Sequence, residues 1–134
     1  MSLRFDEVSA GQELPALDVP ITAAIVVGGA LASRDYTPVH HDRSAAMANG
    51  LPDVFMNILT TNGYVSRFVT DWAGPDAIIR GIKLKLGGPM LPGDTLKLRG
   101  TVQSAEGGVA EIQVSGDNSW GNHVTATIKV ALPS

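Results

Sequence analysis

The segment DVFMNILTTNGYVSRFVTDWAGP, residues 53–75, decides the fold. Val54, Ile58, Thr61, Val65, Phe68 and Trp72 recur at helical steps, and Phe55 and Leu59 widen the stripe. The spacing predicts an amphipathic helix over residues 53–72. Asp53 is the expected N-cap, and Ala73-Gly74-Pro75 ends the helix with a permissive residue followed by a breaker. A helix with one long apolar face needs a sheet to cover it.

The sheet is written downstream. Ile78, Ile82, Leu84 and Leu86 share one parity, with Lys83 and Lys85 on the other. Arg80 carries the parity of Ile78 and Ile82, which is odd for a charge and points to a strand end or a subunit contact. After the turn Pro92-Gly93-Asp94, Leu96, Leu98 and Val102 alternate with Lys97, Arg99 and Thr101. Ala110, Ile112 and Val114 oppose Glu111, Gln113 and Ser115, and Val124, Ala126, Ile128, Val130 and Leu132 oppose Thr125, Thr127 and Lys129. Such alternation predicts strands with one buried face and one that is solvated or meets a second subunit. Short connections at Gly107-Gly108 and Gly121-Asn122 favour antiparallel hairpins. His123, just after the second, is expected to be a solvated loop histidine.

Upstream, residues 22–33 fit either a strand, from Ile25, Val26 and Val27, or a small-residue helix capped by Thr22, and Gly28-Gly29 weakens both. Residues 35–39 must be irregular, because Pro38 lacks a donor and pushes Thr37 out of the helical region. Asp42 then reads as the N-cap of a short Ala-rich turn ending near Asn49-Gly50. The outline is an α+β hot-dog fold, a curled antiparallel sheet wrapped around one long central helix. Residues 1–134 form a single domain with no internal repeat.

With 134 residues the chain can bury a real core without staples, and 44% hydrophobic with 17% charged residues argues against disorder. Ten Lys and Arg against 13 Asp and Glu leave a net charge of −3, so nucleic acid is not the expected partner. The chain has no cysteine, which removes disulfides, thiolate metal sites and a thiol nucleophile. Neither a secretory signal nor a bilayer-length apolar run is present, so a cytoplasmic protein with no membrane partner is expected.

The densest polar cluster is residues 34–43, RDYTPVHHDR. Asp35 and His40, with a rigid proline between them, can turn toward one point and hold a water beside a base of suitable pKa. By spacing alone, local turn and cap bonds at Asp35 and Asp42, with both histidines on the surface, explain the same residues. His41 reads as a surface or supporting residue, and Asp94 as turn chemistry.

The pattern Asp35-x-Thr37-Pro38-Val39-His40-x-Asp42 resembles the signature of MaoC-like (R)-specific enoyl-CoA hydratases, whose third position is usually Asn. Gly88-Pro89-x-x-Pro92-Gly93-Asp94 and Trp72-Ala73-Gly74-Pro75 extend the likeness. His40-His41-Asp42-Arg43, Asn57-Ile58-Leu59-Thr60 and Asn118-x-x-Gly121-x-His123-Val124 are similar to a narrower group, the small subunits of actinobacterial hydratases acting on a shortened steroid side chain. The resemblance implies that Asp35 and His40 activate water for addition to the double bond of an acyl-CoA thioester. It implies no metal and no cofactor beyond the CoA carried by the substrate. It also implies a homodimer, or a heteromer with a second MaoC-like chain.

In the same family a backbone N–H at the helix start meets the thioester oxygen, which here would be Asn57. The family commonly has Ala-His-Gly where this chain has Phe55-Met56-Asn57, so the Asn57 side chain is expected to narrow that space. Lys83 and Lys85 are candidate CoA contacts against the plainer reading of a solvated strand face, and Gly28 and Gly29 are candidate linings of a roomy acyl site. Two other functions compete: a non-catalytic hot-dog subunit that shapes a partner's tunnel, and an acyl-CoA thioesterase. The thioesterase would need an acid near the central helix, where only Asp53 stands.

Overall fold

The computed structural model describes residues 2–134. Strand β1 (Leu17–Pro20) leads into helix α1 (Ala23–Ala32), a 3₁₀ turn over Pro38–His40, and helix α2 (Arg43–Ala48). The long helix α3 (Ile58–Ala73) follows, and then β2 (Ile78–Leu86), β3 (Thr95–Glu106), β4 (Val109–Asn118) and β5 (Gly121–Ala131). All neighbours in the sheet are antiparallel, in the order β1-β3-β4-β5-β2. The expected hot-dog arrangement holds, with β1 as an edge strand that its short length hid from pattern reading.

The predicted inward residues of β3, β4 and β5 are buried: Leu96, Leu98, Val102, Ala110, Ile112, Val114, Val124, Ala126, Ile128 and Val130. From α3, Thr61, Val65, Phe68, Val69 and Ala73 meet them. Burying a ring the size of Phe68 contributes about 1.5–3 kcal/mol. Gly107 and Gly108 both have positive φ, 61° and 80°, as a two-residue hairpin turn requires.

Several expectations need correction. The helix begins at Ile58, so Asp53 does not cap it; Asn57 does, its side chain accepting from the Thr60 N–H. Ile58 and Leu59, read as part of the core stripe, are about half exposed. Ile78 is also exposed, because the β2–β5 register shifts between Ile79 and Gly81. Arg80 is the extra residue of that bulge, which reverses parity and resolves its odd position. Of the two readings of residues 22–33, the small-residue helix capped by Thr22 is the one observed. The β4–β5 turn lies at Ser119-Trp120, with Gly121 already paired to Asn118.

His123 is the largest correction. The β4–β5 register shifts between Gly116, paired with Val124, and Asp117, paired with Asn122. His123 is the bulged residue between them, so it turns inward beside Val124 and is only 1% exposed.

Candidate active site

Asp35 is positioned by the way α1 ends. The Arg34 N–H reaches Leu31 O at 3.1 Å and the Asp35 N–H reaches Ala30 O at 2.8 Å, the paired bonds of a helix stop with a left-handed residue. Arg34 takes that place with φ 58°, where glycine would be unstrained. His40 closes the 3₁₀ turn begun by Pro38, and its Nδ1 lies 2.6 Å from Phe55 O. The ring meets Phe55 edge-on, with centroids 4.9 Å apart, and is 8% exposed.

These two supports bring Asp35 Oδ2 to 3.3 Å from His40 Nε2. A carbonyl only accepts, so Nδ1 carries the ring proton of neutral His40 and Nε2 presents a lone pair. The carboxylate oxygen is also an acceptor. Two acceptors at this distance make a seat for one donor molecule that can serve both.

Asp35 is held as the anion. Its Oδ1 accepts from Thr37 Oγ1 at 2.7 Å and from the Thr37 N–H at 3.2 Å, and its Oδ2 accepts from Asn57 Nδ2 at 3.1 Å. The Thr37 hydroxyl first, then the Asn57 amide and the Thr37 N–H, hold its pKa down at about 2. Thr37 thus supplies a hydrogen bond to the carboxylate from the position where the family usually has Asn.

Asn57 has a role that sequence reasoning missed. Its side chain does not narrow the site; it is 2% exposed and turned into a network. Oδ1 accepts from Thr60 N and Oγ1, capping α3, while Nδ2 donates to Ser33 Oγ and Asp35 Oδ2. One residue therefore joins the end of α1, the carboxylate and the start of α3. The signal was present, since asparagine is among the best N-cap residues. Its own backbone N–H has no protein acceptor among the described residues.

The His40 side of the dyad opens on a pocket of about 490 Å³ lined by His40, Phe55, Asn57, Ile58, Gly88 and His123, among others. A second groove, about 580 Å³, runs between α1 and α3 past Gly28, Gly29, Ser33, Thr60 and Tyr64. Gly29 is there for packing as well as space, because a Cβ would collide with the Thr60 hydroxyl and methyl. Gly28 faces open groove. Lys83 and Lys85 are exposed and alternate with Ile82 and Leu84, which pack on the core, so they lie on the outer sheet face and line neither of these two spaces. His41 is exposed.

Fold and dyad geometry together define a MaoC-type domain, and the family described as MaoC like domain matches residues 7–123. The chain belongs to that family. It is 45% identical, over 91% of its length and 95% of the relative's, to the 3-oxo-4,17-pregnadiene-20-carboxyl-CoA hydratase beta subunit of Mycobacterium tuberculosis. A chain of the ChsH1-ChsH2 complex from Mycobacterium tuberculosis superposes with a TM-score of 0.90 at 45% identity, covering 92% of this chain and 97% of that one. The R-hydratase PhaJ1 from Pseudomonas aeruginosa shares the fold, with a TM-score of 0.90 at 20% identity over 99% of this chain and 87% of its own. Among the described residues no helix is long and apolar enough to cross a membrane.

Proposed function

We propose that the chain is an enoyl-CoA hydratase, a hydro-lyase adding water to the α,β double bond of an acyl-CoA thioester, and that Asp35 and His40 carry the reaction. The observation behind this is the pair of facing acceptors, Oδ2 and Nε2, 3.3 Å apart. A water seated beside the pair, within hydrogen-bond reach of both atoms, donates one proton toward each. His40 takes the proton that is transferred, because a carboxylate held at about 2 is the weaker base. The hydroxyl oxygen adds to the β-carbon, and the π electrons move onto the thioester oxygen. The free Asn57 N–H, at the positive end of α3, meets that developing charge. The proton on Nε2 then passes to the α-carbon from the same face, completing syn addition and restoring both side chains. No step draws on a metal or redox cofactor.

The acyl group is a bulky one of steroid type. The name of the mycobacterial relative supports this, as does the groove between α1 and α3, which reaches Ser33 and Thr60 beside Asn57. The working assembly is a heteromer with a second MaoC-like chain; the mycobacterial relative is named a beta subunit, and the matching solved chain comes from a two-component complex. CoA leaving the dyad pocket over Leu86 would carry its phosphates toward Lys85 and Lys83 on the same strand.

The test is to purify the chain with its partner and assay straight-chain and steroidal enoyl-CoA thioesters. Asp35→Asn and His40→Ala should each lower hydration about 10²–10⁴-fold with an unchanged circular dichroism spectrum. Full activity of the complex with either variant would move the chemistry to the partner chain. Release of free CoA without hydration would identify a thioesterase instead.

A further inference from the structure

We infer that His123 is a positioning residue for this reaction: it clamps the Gly87–Pro89 wall of the dyad pocket to helix α3 and thereby sets the room beside the Asn57 N–H. The inference rests on the hydratase reading above and adds a residue to it.

The geometry is specific. His123 Nδ1 lies 2.8 Å from Gly88 O, and Nε2 lies 2.9 Å from Thr61 Oγ1. The carbonyl must accept, so Nδ1 carries the proton and Nε2 accepts from the Thr61 hydroxyl. Thr61 is fully buried, and its N–H bonds Asn57 O, the first helical bond of α3. The imidazole therefore spans from the turn that presents the Asn57 N–H to the loop that faces it across the pocket.

That loop is held at further points. The Gly87 N–H donates to His123 O, and the Gly88 N–H to Asn122 O. Asn118 Nδ2 donates to Pro89 O, and Met90 O accepts from the Met56 N–H, one residue before Asn57. His123 is the only side chain among these that touches both walls. Both of its nitrogens are engaged, so it is not poised to exchange a proton with substrate. Burial, only partly offset by the bond to Gly88, keeps the ring in the neutral form that this pattern requires.

A group that fixes transition-state geometry without binding the ground state should act on kcat and leave KM alone. An ångström of misplacement costs as much as about 10²-fold. His123→Ala removes both bonds and should lower kcat about 10- to 100-fold, with KM changed less than about twofold. His123→Asn keeps a donor near Gly88 O, and Thr61→Val removes only the hydroxyl, so each should fall between His123→Ala and wild type. All are measured in the assembled complex, with melting temperature and secondary structure followed in parallel.

If His123→Ala does not fold, His123→Asn and Thr61→Val decide the matter by the same split. Folded variants with wild-type kcat, or with the whole loss in KM, would overturn the clamp while leaving the hydratase reading intact. A wild-type complex inactive on every enoyl-CoA would overturn that reading, and this inference with it.

Discussion

Thr37 shows how one residue sets the charge of the site. It donates to Asp35 Oδ1 through both its hydroxyl and its N–H. Removing the hydroxyl as Thr37→Val should raise the Asp35 pKa from about 2 toward the ordinary carboxylate range, read from its carboxyl carbon by NMR. An unmoved midpoint would mean that Asn57 and Thr37 N–H suffice. The sign for stability follows from linkage. The folded pKa lies below the unfolded one, so the stabilisation is present above the unfolded value and is lost as pH falls toward about 2. In Thr37→Val that acid loss should be smaller. Asp35 stays ionised at neutral pH, so it adds no inflection to kcat/KM above about pH 4.

At the scale of elements, α1 and α3 meet where Gly29 lies against Thr60, and Thr60 is also bonded to Asn57 Oδ1. Gly29→Ala should therefore destabilise the protein by about 1–3 kcal/mol, seen as a lower melting temperature, because the added methyl must push the helices apart. Gly28→Leu is a different experiment. No atom lies within 4 Å of a Cβ there, and a helix former replaces glycine, so stability should hold or rise by up to about 1 kcal/mol. The leucine instead fills the groove. Hydration of a steroidal thioester should fall relative to crotonyl-CoA, and an unchanged ratio would take the acyl group out of the α1–α3 groove.

Over the whole molecule, stability should respond to acid in stages. His123 has a folded pKa depressed mainly by burial, so its contribution is complete above the ordinary histidine value of about 6.5 and is lost as pH falls below it. Asp35 contributes only to a later loss at stronger acid. Melting temperature against pH should show the first decline beginning near 6.5, and His123→Asn should flatten it. An identical slope in that variant would assign the decline elsewhere. The surface adds a second whole-molecule feature. Ile58, Leu59, Ile78 and Leu86 are exposed on α3 and β2, and among the described residues β2 pairs only with β5, at the edge of the sheet. These features fit the proposed assembly with a second chain.

Periodicity in residues 53–75 and strict alternation in β3, β4 and β5 were enough to predict the central helix and most of the sheet, because burial of one face writes itself into local spacing. The motif from Asp35 to Asp42 likewise led to the expectation that Asp35 and His40 turn toward one point, as their side chains do, and to the α2 cap. Bulges were not legible: one extra residue at Arg80 and one at His123 reverse parity, and register is a property of two strands together. For the same reason the sequence marked Asn57 only by its backbone and His123 as solvated. The side-chain bonds of Asn57 to Ser33 and Asp35, and those of His123 to Thr61 and Gly88, cross long stretches of chain. Only packing the loop, the helix start and the bulged strand against one another decides which polar groups must satisfy each other away from water.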